Sequence, residues 1–528
     1  MNNLTFYFRI NSDVKNGIGH SKRCVRIAHM LKENGYQCFF LIDNKSNIEI
    51  FLKGFKIFYI YDSFSKFVDQ EKDAKLVLKK IKHTKSVIVL DDYRFDCKWE
   101  KIISKENFKV IVLDDSGLKN HYCDVYINYK PDLIHSENFN SSIIKKKETK
   151  LLLGPEYAII DCKQRIKINK KDNIFKICFY MGGSGDFKYF DKIILSFINL
   201  VSNLKMKFEF SIIYGVGCKN IKQLILLSKK FKFIKIIDGK KNLDKKISSM
   251  DLIIGSAGNI VYEASYYNIP SIFFEISKNQ NNKISNMEKI GHYFILSKLD
   301  LKNFQKIAYL IFLIFKNYNR IYYLVINKKI SIDNEGVKRI VNNILHYKKN
   351  FINKNKINKN KINKNINSDK VFFKRVKDDE INQYLHSRNL LVNRKVSIST
   401  KKINRLDHYT WWFITKRNSY VMTINNFKIV YLYDETIKLK NKNYSLQGWF
   451  ACGNDLGIRE ILTALNWHQK YMRKKKNIDL SFGIIKKGNK INFSKYLNWR
   501  PIQKDSQEHG ILKKICKIDK KYNYYSRY

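Results

Sequence analysis

Short apolar runs alternate with charged, helix-length stretches over residues 1–165 of this 528-residue chain. The predicted strands are 4–10, 37–42, 86–90, 110–113 and 125–128, and helical stretches such as 71–81 and 98–105 separate several of them. This alternation predicts a parallel, doubly wound sheet, in which ligands bind at the carboxyl ends of the strands. Two predicted strand ends carry polar clusters, Asp91-Asp92-Tyr93 and Asp114-Asp115-Ser116.

The turn between the first predicted strand and the first predicted helix contains two glycines and a histidine. It reads Asn16-Gly17-Ile18-Gly19-His20-Ser21-Lys22-Arg23. A helix N-terminus offers unpaired N–H groups and partial positive charge, which favour a neutral imidazole, the form that a general base needs. The same pattern also fits an ordinary turn whose histidine caps the helix or packs against it.

A second α/β unit begins near residue 173, with predicted strands at 174–180, 208–214, 233–237, 251–254 and 271–275. Two glycine-rich turns each join a strand to a helix, Met181-Gly182-Gly183-Ser184-Gly185-Asp186 and Gly255-Ser256-Ala257-Gly258-Asn259. Backbone N–H groups in such turns can bind a pyrophosphate, and Glu263 on the following helix can accept hydrogen bonds from a ribose. Neither turn continues into the G-K-[ST] sequence of a P-loop, and both also fit ordinary tight connections.

Residues 348–370 are a lysine- and asparagine-rich repeat with few core-forming side chains, which predicts a flexible charged linker. A third unit, 371–520, has predicted strands at 420–424, 428–433, 446–450 and 480–485 and helices around 403–413 and 458–472. This order predicts a mixed sheet of α+β or α/β type. The first two units then correspond to 1–165 and 166–347.

The formal net charge of +53 invites a nucleic-acid interpretation. The lysines, however, are spread along the chain and do not form one stripe interleaved with aromatic residues, so we expect no nucleic-acid partner. Such a field would still speed the encounter with an anionic substrate.

The nine cysteines are scattered and include no C-x-x-C pair, which indicates neither a zinc site nor a disulfide framework. We therefore expect no metal and a reduced, cytoplasmic location. The most apolar segment, 307–315, is too short to span a bilayer and predicts a buried helix, so no membrane insertion is expected.

The two α/β units suggest one reaction when they are combined. A cleft between them would place the sugar of a nucleotide sugar beside His20, whose neutral imidazole can take a proton from water or from an acceptor hydroxyl. Departing UDP needs no acid if helix N-termini stabilise its charge.

The first 345 or so residues resemble the UDP-sugar hydrolases of pseudaminic acid biosynthesis, relatives of the GT-B glycosyltransferases. The matching pieces are Arg9, Gly17-Ile18-Gly19-His20-x-x-Arg23, Leu90-Asp91-Asp92-Tyr93, Val112-Leu113-Asp114-Asp115, His121-Tyr122-Cys123-Asp124, Gly154-Pro155-Glu156-Tyr157-Ala158, Met181-Gly182-Gly183, Ser256-Ala257-Gly258 with Glu263, and Lys278-Asn279-Gln280. The chain has Asp92 where the family can carry a histidine.

This resemblance implies two Rossmann-like domains in a GT-B arrangement and hydrolysis of UDP-2,4-diacetamido-2,4,6-trideoxy-β-L-altropyranose, with no cofactor. It implies that His20 is the base and that Tyr93 and Asn279 line the sugar site. The residues it implies for binding the UDP-sugar are Arg9, Gly19, Gly182, Gly183, Ser256, Gly258, Asn259 and Glu263. We expect a monomer or a weak oligomer.

The third unit resembles the GNAT-type N-acyltransferases, which are α+β proteins. The matching residues are Arg388, Arg394, Ser397, Ile403, His408, Trp412-Phe413 and the segment 489–499. The resemblance implies acetyl-CoA as a cofactor and N-acetylation of an amino sugar nucleotide before UDP removal. The family's [QR]-x-x-G-x-[GA] loop is absent, and Gly453 and Gly457 stand at its place. A purely structural domain, with His408 as a core histidine, is the alternative.

Two other functions fit parts of the sequence. A GT-B glycosyltransferase would use the same UDP site and His20 but transfer the sugar to an acceptor. A basic nucleic-acid-binding or scaffold protein would use the net charge and the lysine-rich linker.

Overall fold

The computed structural model divides the chain into two compact units, Met1–Asn358 and Lys359–Tyr528. The residues that the structure describes are 4–10, 19–43, 48–63, 65, 67–83, 85–133, 139–162, 174–183, 185–239, 243–276, 284–346, 370–454, 456–475, 477–487, 497–516, 518–519 and 521–527. The predicted linker 348–370 and the predicted boundaries at 165 and 347 lie almost entirely outside these residues and stay predictions.

The first unit begins with a seven-stranded parallel sheet in the order β3-β2-β1-β4-β5-β6-β7. Its strands are β1 Thr5–Ile10, β2 Gln37–Ile42, β3 Lys56–Tyr59, β4 Ser86–Asp91, β5 Lys109–Leu113, β6 Val125–Asn128 and β7 Lys150–Leu153. Its helices are α1 Gly19–Glu33, α2 Gln70–Lys80 and α3 Cys97–Lys105. All residues of β1 and β4 are buried, as expected for central parallel strands covered on both faces.

A second parallel sheet of six strands follows in the order β10-β9-β8-β11-β12-β13. Its strands are β8 Ile174–Tyr180, β9 Lys207–Tyr214, β10 Ile234–Asp238, β11 Leu252–Ser256, β12 Ser271–Glu275 and β13 Phe294–Ser297. The helices are α4 Phe190–Val201, α5 Lys222–Lys230, α6 Leu243–Ser248, α7 Ile260–Tyr266, α8 Ile284–Lys289, α9 Phe304–Lys316, α10 Tyr318–Ile326 and α11 Gly336–Leu345. One continuous hydrophobic core contains buried side chains from both sheets, which joins them within the first unit.

These two sheets confirm the predicted parallel α/β architecture. The apolar segment 307–315 lies inside α9, with Ile307, Leu310, Ile311 and Ile314 buried. None of the helices in the described part of the chain is both long and apolar enough to cross a membrane.

The second unit contains a seven-stranded mixed sheet in the order β14-β15-β16-β17-β18-β20-β19. Its strands are β14 Val371–Arg375, β15 Arg417–Ile424, β16 Phe427–Leu439, β17 Lys442–Ala451, β18 Leu480–Lys486, β19 Arg500–Pro501 and β20 Tyr522–Arg527. Its helices are α12 Ile381–Arg388, α13 Leu391–Val396, α14 Arg405–Ile414, α15 Ile458–Arg473 and α16 Gln507–Ile515. The predicted mixed sheet is confirmed, while its assignment to the acyltransferase fold stays a prediction.

One pair of strands in this sheet separates along its length. β17 and β18 run parallel, whereas the other neighbouring strands are antiparallel. Their pairing runs from Tyr444 opposite Leu480 to Gln447 opposite Gly483. Both strands then continue, to Ala451 and Lys486, without pairing to each other, which leaves an opening in the sheet.

Candidate active site

His20 is the second residue of α1, and its side chain is 19% exposed. Its Nδ1 lies 2.6 Å from Oδ1 of Asp91, the last residue of β4. An ionised carboxylate can only accept a hydrogen bond, so Nδ1 is the donor. Nε2 is then the ring nitrogen that can take a proton, as in histidines that act as general bases.

Arg23 fixes the carboxylate that orients His20. It is 4% exposed, its Nε lies 2.6 Å from Asp91 Oδ2, and its Nη2 contacts Asp91 Oδ1. Burial alone would raise the pKa of Asp91, but the charge of Arg23 and the hydrogen bonds from Arg23 and His20 hold it well below its usual range. Asp91 is therefore ionised at neutral pH.

Tyr93 borders the same histidine. Its ring meets the His20 ring edge-on, with centroids 4.7 Å apart, and its hydroxyl donates to Asp115. Asp115 also lies 3.1 Å from Arg23 Nη1. The polar clusters that follow β4 and β5 therefore meet around Arg23, as their position at the carboxyl ends of adjacent strands predicts.

Asp92 points to a different partner, although it is the next residue after Asp91. Its carboxylate accepts hydrogen bonds from Arg94 Nη2 at 2.7 Å and from the Arg94 backbone N–H at 2.9 Å. The residue that departs from the family pattern is thus held in an ion pair with Arg94.

The second sheet contributes residues to the same region. The Tyr129 hydroxyl accepts a hydrogen bond from Arg23 Nη1 at 3.2 Å and donates one to Asn259 Oδ1 at 3.2 Å. Arg26 of α1 lies 3.4 Å from Glu263 Oε1 and donates to the Ile159 carbonyl at 2.8 Å. Glu263 of α7 therefore contacts the helix that carries His20, and Asn259, which precedes α7, is linked to that helix through Tyr129.

The two glycine-rich turns lie side by side because β8 and β11 are neighbours. Gly182 has φ +80°, and a Cβ on it would lie 3.6 Å from Ser256 Oγ. The Gly258 N–H donates within its own turn to the Ser256 carbonyl at 2.8 Å, and the Gly183 carbonyl accepts from Gly217 at 3.1 Å. The predicted diphosphate residues are thus brought together, and their role in binding stays a proposal.

Arg9 requires a correction. Its side chain is fully buried and forms ion pairs with Asp73 at 2.7 Å and Asp43 at 2.9 Å. β1 directs this side chain towards α2, where Asp73 lies, so its guanidinium has no surface to offer a ligand. Arg9 therefore holds the first sheet together and is removed from the candidate UDP contacts.

Lys22 also lies in this region, although the sequence analysis assigned it no function. Burial lowers its pKa, and the charge of Glu263 offsets part of that effect. The two side chains thus interact between α1 and α7, and Lys22 brings positive charge to the side where Glu263 lies. Its position two residues after His20 was the sequence feature that could have identified it.

His121, which belongs to the His121-Tyr122-Cys123-Asp124 segment of the family resemblance, stabilises the fold of the first sheet. Its Nδ1 lies 2.6 Å from Glu100 and its Nε2 lies 3.2 Å from Asp114, all three side chains being buried. Although burial lowers its pKa, the two carboxylates raise the pKa of His121 to about 9. It is therefore a buried cation between two anions.

Asn279 lies outside the described residues. Gly19 is the first residue of α1, and no atom of the described residues lies within 4 Å of the position that a Cβ would take there. Among the residues that the structure describes, no three His, Cys, Asp or Glu side chains are grouped so that they could hold a metal ion.

In the second unit, His408 is a core histidine. Its Nε2 donates to the Ile381 carbonyl at 2.8 Å, and burial lowers its pKa to about 4. Gly453 is exposed, with open space where a side chain would stand. At Gly457, which precedes α15, a Cβ would meet the Glu460 carboxylate at 2.2 Å, so a negative charge already occupies that helix start.

No family model matches this chain. An uncharacterized protein of Methanocaldococcus jannaschii, MJ1062, is 24% identical over 282 residues, 50% of this chain and 54% of that protein, so the match spans about half of the relative. A UDP-2,4-diacetamido-2,4,6-trideoxy-beta-L-altropyranose hydrolase of Campylobacter jejuni is 24% identical over 295 residues, 54% of this chain and 96% of that protein.

Solved structures show similarity at low sequence identity. MurG of Acinetobacter baumannii has a TM-score of 0.46 at 13% identity, covering 65% of this chain and 99% of that one. A UDP-GlcNAc 2-epimerase of Neisseria meningitidis has a TM-score of 0.39 at 14% identity, covering 65% of this chain and 100% of that one. The chain is thus similar over about half its length to a hydrolase of a UDP-sugar.

Proposed function

We propose that the unit Met1–Asn358 is a hydrolase that cleaves a UDP-sugar into UDP and a 2,4-diacetamido-2,4,6-trideoxyhexose. The observation that carries the proposal is the 2.6 Å contact between His20 of α1 and Asp91 at the end of β4, together with the contact between α1 and Glu263 of α7. The similarity to the Campylobacter jejuni hydrolase supports the reaction and the substrate class.

The proposed reaction begins with water beside His20. Asp91 keeps Nδ1 protonated, and Nε2 takes a proton from water as the water oxygen bonds to the anomeric carbon. The bond between that carbon and the phosphate oxygen breaks, and UDP leaves with its electron pair. Lys22 provides positive charge near the departing diphosphate, since it lies on the α7 side of α1.

The remaining candidate residues bind the substrate in this proposal. Tyr93 borders the sugar because it stands against His20. Asn279 lies outside the described residues, and its assignment to the sugar rests on the sequence resemblance alone. Glu263 and Asn259 bind the nucleotide, with Ser256 and the glycines at 182, 183 and 258 close to the diphosphate.

UDP release from candidate UDP-sugars tests the proposal. We expect His20→Ala to reduce turnover by at least about a hundredfold, since general-base catalysis contributes about 10²- to 10⁴-fold. His29→Ala is the matched control, because His29 is an exposed histidine on the same helix that packs against Phe55. Equal turnover in the His20 variant and in the control would contradict the assignment.

The products separate hydrolysis from glycosyl transfer. Free sugar and UDP in equal amounts, without any acceptor, support the hydrolase. An absolute requirement for an acceptor would make the protein a glycosyltransferase that uses the same base.

A second function is proposed for the unit Lys359–Tyr528, N-acetylation of an amino sugar nucleotide with acetyl-CoA. The observation that favours it is the parallel pair β17–β18, which separates after Gln447 and Gly483 above a cavity of about 590 Å³. An extended thioester arm fits such an opening, whereas the carboxylate of Glu460 beside Gly457 does not suit a diphosphate at the start of α15. Bound acetyl-CoA would supply the acetyl group.

Acetyl transfer by the full chain tests this second function. The His20→Ala variant is used so that the acetylated UDP-sugar accumulates and can be identified by mass spectrometry. If no acetyl-CoA-dependent product forms from any 4-amino UDP-sugar supplied, the acyltransferase proposal is wrong, and the hydrolase proposal is unaffected.

A further inference from the structure

Tyr129 joins the surroundings of His20 to the second sheet, and the proposed reaction gives it no role. It directly follows β6, is 3% exposed, and packs in the hydrophobic core that both sheets share. Its hydroxyl accepts a hydrogen bond from Arg23 Nη1 at 3.2 Å and donates one to Asn259 Oδ1 at 3.2 Å. One side chain therefore contacts both a residue beside the base and a residue proposed to bind the nucleotide.

The two hydrogen bonds of this hydroxyl have a defined direction. A guanidinium can only donate, so the Tyr129 oxygen accepts from Arg23 and its proton is directed to Asn259. Burial raises the pKa of Tyr129, against the opposite effect of the Arg23 charge, so the hydroxyl keeps its proton at neutral pH. The bond uses the oxygen of the Asn259 amide, and the NH2 group of that amide is a separate donor.

Arg23 connects this contact to the base. Its Nε lies 2.6 Å from Asp91 Oδ2, and Asp91 Oδ1 lies 2.6 Å from His20 Nδ1. Because a planar guanidinium holds its donors in one rigid fork, a shift of Nη1 also moves the Nε that donates to Asp91. Consecutive hydrogen bonds thus run from Asn259 through Tyr129, Arg23 and Asp91 to His20.

The Tyr129 side chain is itself held in one orientation. Its ring meets the Tyr262 ring edge-on, with centroids 5.4 Å apart, and the Tyr262 hydroxyl donates to the Tyr129 backbone carbonyl at 2.9 Å. If the Tyr129 hydroxyl were removed, Arg23 Nη1 would keep Asp115, 3.1 Å away in the first sheet, as an acceptor. It would lose its connection to Asn259.

We propose that Tyr129 is a positioning residue, whose hydroxyl holds Arg23, and through Asp91 the base His20, in a fixed relation to Asn259. The inference rests on the proposed function, because it concerns the orientation of the same base. Tyr129 acts through Arg23 and not by touching the substrate. Loss of its hydroxyl should therefore reduce turnover more than substrate binding.

Steady-state kinetics of Tyr129→Phe, followed as UDP release, tests this role. The substitution removes the hydroxyl and keeps the ring that packs against Tyr262. We expect kcat to fall about tenfold with KM within a few-fold of the parent, since one hydrogen bond to a charged group contributes on that scale. Unchanged kcat would overturn the proposal, and so would a rise in KM alone, which would make Tyr129 a binding residue.

Tyr262→Phe is the matched control. It removes a hydroxyl from the same contact between the sheets, but that hydroxyl donates to the backbone carbonyl of Tyr129. We expect its kcat to stay close to that of the parent, while thermal unfolding shows similar losses of stability in the two variants. An equal loss of kcat in both would reduce the effect to general packing between the sheets and overturn the proposal.

The Nδ1 proton of His20 gives an NMR readout that does not depend on turnover. A proton held between an imidazole and a carboxylate resonates far downfield of backbone amides, and its loss in His20→Ala assigns the signal. His121, whose Nδ1 lies 2.6 Å from Glu100, provides an internal reference. We expect Tyr129→Phe and Asn259→Ala each to shift or broaden the His20 signal, and Tyr262→Phe to leave it in place.

These outcomes separate the positioning role from the proposed function. If the parent releases UDP from no UDP-sugar supplied, the hydrolase proposal is wrong, and the His20 signal still tests the link to Asn259. If that signal is unchanged in either Tyr129→Phe or Asn259→Ala, the positioning role is wrong, whether or not the protein hydrolyses a UDP-sugar. Should Tyr129→Phe fail to fold, Asn259→Ala tests the same series of hydrogen bonds.

Discussion

Replacing Asp91 with asparagine tests whether this carboxylate orients His20 for catalysis, beyond its contribution to folding stability. The Asp91 carboxylate accepts from His20 Nδ1 at 2.6 Å, from two nitrogens of Arg23, and from Cys24 Sγ at 3.3 Å. An asparagine amide has one acceptor oxygen, so it cannot accept all of these bonds. It also removes the negative charge beside a guanidinium that is 4% exposed.

The substitution should reduce both the folding stability and the turnover of the protein. Removing one partner of a buried ion pair costs about 3–5 kcal/mol of stability when the remaining charge is left uncompensated. Arg23 keeps Asp115, 3.1 Å from its Nη1, so we expect about 3 kcal/mol, the lower end of that range. His20 also loses the acceptor that keeps the proton on Nδ1, so we expect turnover to fall about 10²- to 10⁴-fold, the range of general-base catalysis.

Asp92→Asn is the matched control for this variant. Asp92 is the adjacent residue, its side chain is equally buried, and it pairs with Arg94 at 2.7 Å without contacting His20. It should lose stability of the same order, about 3 kcal/mol, yet keep turnover within a few-fold of the parent.

Thermal unfolding of both variants is measured first, and UDP release is then followed at a temperature where both are folded. The reasoning predicts similar losses of stability but a turnover difference of at least about a hundredfold between the two. If Asp91→Asn and Asp92→Asn lose the same turnover, Asp91 has no special role in orienting the base, and the mechanism above is refuted.

Three further predictions concern other residues. The His121 cation contributes stability that is fully present below its ordinary pKa of 6.5 and is lost as pH rises through about 9. The loss, about 3 kcal/mol from the difference in pKa, should appear in hydrogen exchange of β5 and be absent in His121→Gln. A flat pH profile in the parent would contradict this prediction. Gly255→Ala should destabilise the second sheet, because its Cβ would lie 1.9 Å from the Tyr180 carbonyl oxygen. Gly19→Ala should keep the parent melting temperature, because no atom of the described residues lies within 4 Å of the added Cβ. Equal melting temperatures of the two variants would show that β8 and β11 can separate at little cost. Glu263→Gln should raise KM about tenfold with kcat nearly unchanged if Glu263 binds the nucleotide, and an unchanged KM would remove it from the site.

The central strands were predictable because burial on both faces leaves a simple sequence signal. The strands β2, β6, β8 and β12 have the predicted bounds, since each is largely a run of apolar residues. The edge strands β3 and β7 were missed, because most of their residues are only partly buried or exposed and the apolar run is correspondingly weaker. The mixed sheet was predicted without β14, β19 and β20. β14 is mostly exposed, β19 has only two residues, and β20 alternates aromatic with polar residues over part of its length.

The candidate site was predictable in its position but not in its pairings. That polar residues after β4 and β5 gather at one edge follows from the parallel order of the strands. The pairing of each arginine with its carboxylate depends on the direction in which the side chains point. The local sequence does not determine that direction. Arg9 and Arg23 illustrate this, since one turns to Asp73 behind the sheet and the other to Asp91 beside His20.

The many basic residues of the chain need a structural explanation only where they are buried. With 100 lysines and arginines in 528 residues, a cation on the surface requires no explanation. Arg388, Arg417 and Arg527 are far apart in sequence, and composition cannot distinguish them from the other cations. What distinguishes them is that all three line one cavity of the second unit. Each also has a buried nitrogen without a partner among the described residues, whereas water satisfies the nitrogen of an exposed lysine. The net charge therefore points to no partner by itself, and burial is what singles out these three arginines.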